Sequence, residues 1–245
     1  LCEHKGIDHI SFTGSTATGQ RVAEAAAERH CPVTLELGGK SPQIVFDDAD
    51  LDEALPVIVN AIVQNAGQTC SAGSRLLVQQ TVYEQVLERL ALSFSALRSG
   101  PPALELDMGP LVNRKQYDQV RSILVQAEAD GILVAARGKL HPEAAQAGFY
   151  QEAVLLRDVT HSHSLAQQEI FGPVLVAMPF EDEAQAIQLA NGTEYGLVAG
   201  VWTRDGARQL RLARRLRCGQ VFVNNYGAAG GVELPFGGVK SSGHG

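Results

Sequence analysis

Gly67-Gln68-Thr69-Cys70-Ser71-Ala72-Gly73-Ser74-Arg75 stands between an apolar helical run and a strand, Leu76-Leu77-Val78. Helix, small-residue turn, strand: repeated along a chain, this alternation means a mostly parallel sheet covered by helices on both faces. The turn also carries a cysteine. A thiol that only packs belongs among branched aliphatic side chains, whereas Cys70 is flanked by residues too small to cover it. Free cysteine has a pKa near ~8.5, so a nucleophilic role needs a local field that raises the thiolate share. Two readings stand on the nonapeptide alone: inert core filler, or a nucleophile open to a carbonyl.

Upstream lies Leu35-Glu36-Leu37-Gly38-Gly39-Lys40-Ser41-Pro42. Glu36 sits within an alternating strand, Val33, Leu35, Leu37, and is followed almost at once by two glycines. Burial at a strand end predicts a carboxyl pKa pushed upward, towards the range of a general base. The alternative is an acid held by backbone amides or by Lys40. A cysteine together with a shielded carboxylate suits a covalent acyl intermediate that water later resolves.

Outward from these two stretches, Asp8 to Phe12 alternates as a strand, and Thr16 to Arg29 reads as a helix capped by Ser15 or Thr16. Glycine and hydroxyl residues before a helix N-terminus favour an anion, because unpaired amides face it. Gly14-x4-Gly19 is like a P-loop, but Gln20-Arg21 stands where Lys-Ser/Thr belongs, which excludes nucleotide hydrolysis; an ordinary capped turn is the alternative. Val33 to Leu37 completes a β-α-β unit. Then follow strand 43–46, helix 51–66, strand 75–79, helices 82–97 and 114–129, and strands 132–136, 150–156 and 175–178. Helix 183–190, strand 198–203, helix 206–216 and strand 220–223 close the alternation. Pro56 predicts a kink or a late start in its helix. Asp47, Asp48, Asp50 and Asp52 lack the glycine-kinked loop of a calcium site and read as helix-start charges. His161-Ser162-His163 resembles a metal pair without a third ligand, so no metal is expected. A flexible loop is expected from Asn225 through Gly231.

At 245 residues the chain has room for one large domain, or one domain with a fragment of another. Its net charge of −7 argues against nucleic acid. The arginines between Arg204 and Arg217 fall at helical spacing and read as a solvated helix face. No apolar run reaches the ~20 residues of a membrane span. Four cysteines without Cys-x-x-Cys spacing fit a reducing, cytoplasmic setting.

Glu36 and Cys70 lie 34 positions apart, and with them stand Phe12-Thr13-Gly14-Ser15, Glu169-Ile170-Phe171-Gly172-Pro173-Val174 and Pro235-Phe236-Gly237-Gly238-Val239-Lys240. In this order the motifs resemble the NAD(P)-dependent aldehyde dehydrogenase superfamily across essentially the whole chain. The resemblance implies an α/β catalytic domain over 39–238, a β-α-β remnant of a dinucleotide-binding domain over 1–38, and a truncated segment over 239–245. Family members are longer, which implies a C-terminal half or a truncation.

By the same resemblance Cys70 is the nucleophile and Glu36 the base for an aldehyde substrate. NAD or NADP would lie along Gly14, Ser15, Thr16, Gly19, Leu37 and Gly38, with Gly14 and Ser15 on its diphosphate. Gln116 would approach the adenosine, Glu169 the nicotinamide ribose hydroxyls, and Phe171 the nicotinamide. Phe236 would line the substrate funnel. Gln119 stands where the family often has a lysine, a departure that touches only the adenosine contacts. An oxyanion-binding asparagine that the family places upstream is not in this chain. A homodimer or larger homo-oligomer is implied. Two other outcomes remain: acylating oxidation with coenzyme A, against which Glu36 counts, and an inert or weakly esterolytic fragment.

Overall fold

Leu76, Leu77 and Val78 point to alternate faces of one strand, as pleating requires, and the helices above and below are arranged to meet them. The computed structural model describes residues 1–146, 148–227 and 234–245. The chain begins with β1 (Ile10–Thr13), α1 (Thr16–Ala27), β2 (Val33–Glu36), β3 (Pro42–Val45), α2 (Leu51–Val63) and β4 (Arg75–Gln79). It continues through α3 (Tyr83–Ala96), β5 (Arg98–Ser99), α4 (Arg114–Ala129), β6 (Leu133–Arg137), β7 (Lys139–Leu140) and β8 (Val154–Arg157). The remainder is α5 (Ser164–Gln167), β9 (Val174–Phe180), α6 (Glu183–Asn191), β10 (Val198–Trp202), α7 (Gly206–Arg215), β11 (Gln220–Val223) and β12 (Gly243–His244).

Seven strands form the main sheet in the order β11-β10-β3-β4-β9-β8-β6. All its pairings are parallel except β6 with β8. One face presents Leu77, Val174, Val176 and Val201 to α4, α6 and α7. The other presents Leu76, Val78, Leu175 and Trp202 to α2 and α3. Near-continuous apolar strands covered on both sides are what a parallel sheet demands. The expected fold class holds. The outer strand β6 is the exception; its Leu133 and Val134 remain exposed.

β1, α1 and β2 form the expected β-α-β unit, but their sheet has a third member. β12, from the far end of the chain, pairs antiparallel with β2 and sets Gly243 against Glu36. The segment read as a trailing end is therefore docked on the first sheet.

Several boundaries shift for physical reasons. Of the kink or late start expected at Pro56, the late start does not occur: α2 starts at Leu51, capped by Asp50, and contains Pro56. Pro56 lies on the exposed face, so the Asp52 carbonyl that loses its donor meets water. The helix ends at Val63 rather than Ala66, because Asn65, Ala66 and Gly67 take left-handed φ values of 51°, 53° and 73°. The strand expected from Tyr150 is confined to Val154–Arg157. The arginines of α7 are less free than expected: Arg208 lies 4.3 Å over the Phe46 ring and pairs with Asp48 at 3.0 Å. The two histidines take separate partners, His163 facing Asp130 and His161 facing Gln167. The part of the expected loop spanning 228–233 lies outside the described residues. Among the described residues no helix is long and apolar enough to cross a membrane.

Candidate active site

The left-handed turn after α2 is what delivers the cysteine. Gly67 packs so closely on Gly172 that an added Cβ would meet that carbonyl oxygen at 2.2 Å, and its positive φ is costly for any other residue. Ala66 holds a left-handed φ without a glycine's freedom, and strain of this kind persists only where surrounding structure enforces it. Gln68 supplies part of that enforcement: its side-chain nitrogen donates to Asn65 O at 2.9 Å, and its oxygen accepts from Val112 N at 2.8 Å. Thr69 to Ala72 then close a turn, with Ala72 N donating to Thr69 O. Cys70 is half-buried at its tip. β4 begins with Arg75, whose buried guanidinium donates to Lys40 O at 2.7 Å and to Leu189 O and Ala190 O at 2.8 Å. The strand after the cysteine is thereby fastened to the segment after Glu36.

That segment touches the thiol's own backbone. A Cβ on Gly39 would lie 2.3 Å from the Cys70 carbonyl oxygen, so only glycine admits this approach. Gly39 N donates to Glu169 Oε1 at 3.0 Å, and the rest of the Glu169 carboxylate lies over Gly38. Three motifs far apart in sequence meet at two glycines.

Glu36 ends β2, and burial raises its carboxyl pKa above 4.5 while the nearby His244 opposes the rise. Its Oε2 is buried without a hydrogen-bond partner among the described residues. Lys40 does not pair with it: the Lys40 amine is itself buried without a hydrogen-bond partner among the described residues, and burial, reinforced by Arg75, pulls its pKa down to about 7. Burial also raises the Glu169 carboxyl, against the Gly39 amide and the Lys40 charge.

The field at Cys70 runs opposite to the one a ready nucleophile needs. Burial pushes the thiol above 9.0, and Glu169 and Glu36 add to the shift; the Ser71 and Cys70 backbone amides oppose it. Of the two carboxylates Glu169 contributes the more, and Glu36 contributes least of all the groups around this sulfur.

The other residues named above take up different places. Ser15 caps α1, its hydroxyl accepting from Thr18 N at 3.3 Å, and the helix's first turn holds no acidic residue. Gly14 precedes it, and Thr16 donates to Ser241 O at 3.3 Å. Gly19 and Leu37, by contrast, pack against each other between α1 and β2, both buried. Gln116 donates to Ile170 O at 3.1 Å and to Phe171 O at 2.8 Å, so its side chain shapes the turn that carries Phe171 at φ 55°. Phe236 is partly exposed, and the described residues around the cleft beside Cys70 do not include it.

That cleft, ≈ 340 Å³, is lined by Asn60, Gln64, Thr69, Ser71 and Tyr226 among others. Tyr226 donates to Ser71 O at 2.6 Å and so braces the residue after the cysteine. Asn60, Gln64 and Tyr226 were not singled out from sequence. The available signal was a pair of amides four residues apart where an apolar run ends, Asn60 in the last turns of α2 and Gln64 just after it.

Residues 1–245 match the model of the aldehyde dehydrogenase family. A betaine aldehyde dehydrogenase of Sinorhizobium fredii is 41% identical over 246 residues, covering 100% of this chain and 50% of that protein. A solved protein of Burkholderia cenocepacia, described as a candidate aldehyde dehydrogenase, superposes with a TM-score of 0.98 at 67% identity, covering 100% of this chain and 52% of its own. An aldehyde dehydrogenase of Bacillus cereus, solved as its NAD+ complex, superposes at 0.94 with 40% identity, covering 100% and 49%. The chain thus spans about half the length of the relatives it matches. With the family's motifs converging on two glycines and the match running from end to end, the chain belongs to the aldehyde dehydrogenase family.

Proposed function

We propose that this chain carries the acyl-transfer half of an NAD(P)-dependent aldehyde oxidation, with Cys70 as nucleophile and Glu36 as general base. The observation that supports this most is a half-buried thiol on a turn fastened to the segment after Glu36, whose Oε2 is buried without a partner among the described residues. A buried carboxylate acceptor without a donor is costly, and a water awaiting deprotonation is the partner that removes the cost.

The residues present fit part of a dinucleotide. The N-terminus of α1, free of acidic residues in its first turn, suits a diphosphate, with Gly14, Ser15 and Thr16 around it. Glu169 lies over Gly38 with acceptor capacity to spare for a vicinal diol, and Phe171 is carried on the same turn. When bound, the nicotinamide supplies the hydride acceptor.

The chain's own residues do the rest. After the thiol proton has passed to solvent, the Cys70 thiolate bonds to the aldehyde carbon, the carbonyl π pair moves onto oxygen, and a thiohemiacetal oxyanion results. In this reading the Cys70 backbone amide donates to the developing oxyanion. Once that carbon has lost its hydride, the acyl group remains on Cys70 as a thioester. Glu36 takes a proton from water as the water oxygen bonds to the acyl carbon; the C–S bond breaks, the thiolate leaves, and a carboxylic acid is released. Glu36 favours this hydrolytic outcome over acyl transfer to coenzyme A.

The test uses p-nitrophenyl acetate, which acylates a thiol without any cofactor. Cys70→Ala should abolish the covalent acetyl adduct seen by mass spectrometry, and Glu36→Gln should let it accumulate. An adduct that persists in Cys70→Ala removes the nucleophile; unaltered breakdown in Glu36→Gln removes the base. The raised thiol pKa favours slow acetylation at neutral pH, so the chain by itself is read as a weak esterase.

A further inference from the structure

Glu36 is held at the end of a four-residue strand in the smaller sheet, whereas Cys70 is fastened to the larger one. Something has to fix the distance between them. β2 leads into Leu37 and Gly38, and the contact made there comes from the far end of the sequence.

Ser242 is fully buried between the two sheets. Its hydroxyl donates to Gly38 O at 2.7 Å and accepts from Gly196 N at 3.0 Å, on the approach to β10. Its carbonyl accepts from Leu37 N at 3.0 Å. The next residue, Gly243, pairs directly with Glu36. Neighbours anchor the same segment: Ser241 N donates to Glu194 O at 2.9 Å, and Lys240 Nζ donates to Asn191 O, Thr193 O and Tyr195 O at 2.8–3.2 Å. One hydroxyl thus joins the body of the larger sheet to the peptide that follows the carboxylate.

We propose that Ser242 is a positioning residue for deacylation: by tying Gly38 to Gly196 it holds the Glu36 carboxylate at the distance from Cys70 that lets water be deprotonated and attack. This rests on the assignment of Glu36 as base. Ser242 touches neither substrate nor sulfur, so its removal acts through Glu36. Misplacing a reacting group by about 1 Å costs up to ~100-fold, and the loss falls on the step that uses the group.

The full chain is acetylated with p-nitrophenyl acetate, and the formation and breakdown of the Cys70 adduct are timed separately. Ser242→Ala should slow breakdown roughly tenfold or more while formation changes by less than about twofold. In a Glu36→Gln background, Ser242→Ala should slow breakdown no further. Equal slowing of both steps, or of neither, overturns the proposal, as does a full additional loss on top of Glu36→Gln. If Ser242→Ala fails to fold in a thermal scan, the near-isosteric Ser242→Cys is judged by the same criteria. The two readings separate cleanly. Normal breakdown in Glu36→Gln removes the base itself, whereas slow breakdown in Glu36→Gln with normal breakdown in Ser242→Ala removes only the positioning role.

Discussion

The two sheets solve the same problem with unequal means. The seven-stranded sheet is closed on both faces by helices and buries Trp202, Phe46, Phe94 and Phe180 almost completely. The three-stranded sheet has a core of Val22, Leu35 and Leu37, with half-buried neighbours such as Ile10 and Phe12. Stability tracks buried apolar area, so the first body holds itself and the second leans on its connections. Those connections run through the Gly38-Gly39 crossing, Arg75 on Lys40, and the segment around Ser242. The proposed nucleophile belongs to the firm body and the proposed base to the weak one. Active-site elements are commonly drawn from the low-stability end of a structure, and here only one of the pair is.

The crossing is where this contrast breaks most sharply. Gly39→Ala inserts a Cβ 2.3 Å from the Cys70 carbonyl oxygen, so the turn or the crossing has to shift. Acetylation of Cys70 should fall by ~100-fold or more, as near-attack geometry is lost. Stopped-flow with p-nitrophenyl acetate reads this directly, and wild-type acetylation would mean that the crossing does not set the thiol.

A smaller effect sharpens the comparison. Leu77→Ala opens a cavity in a rigid core and should cost ~3–5 kcal/mol, whereas Leu35→Ala, in a site free to collapse, should cost ~2 kcal/mol or less. Urea midpoints measure both. Equal costs would mean that the two sheets are packed alike.

Much of the larger body was legible because each element states its own period. Helix 114–129 and strand 220–223 match the structure at both ends. What sequence could not state is which distant strand lies beside which: β3 sits between β4 and β10, and β12 arrives from the other end of the chain. The candidate site offered its residue types in the sequence and not its field. Cys70 invites activation when read alone, yet burial and the Glu169 carboxylate, which comes close only once Gly38 and Gly39 admit it, push its thiol the other way. Gln116 shows the same limit, since the backbone carbonyls it serves belong to a turn 54 and 55 residues away.

The pairing of Cys70 with Glu36 is tested most directly by following formation and breakdown of the acetyl-enzyme across pH in single turnovers. With Glu36 as the proposed base, the breakdown rate should rise as pH climbs through a midpoint above 4.5 and then level off, because burial raises that pKa. Formation needs the thiolate, so its rate should still be climbing past pH 9.0. In Glu36→Gln the lower limb should vanish from breakdown and leave formation's limb in place. A breakdown rate with the same pH limb in the wild type and in Glu36→Gln would contradict the account.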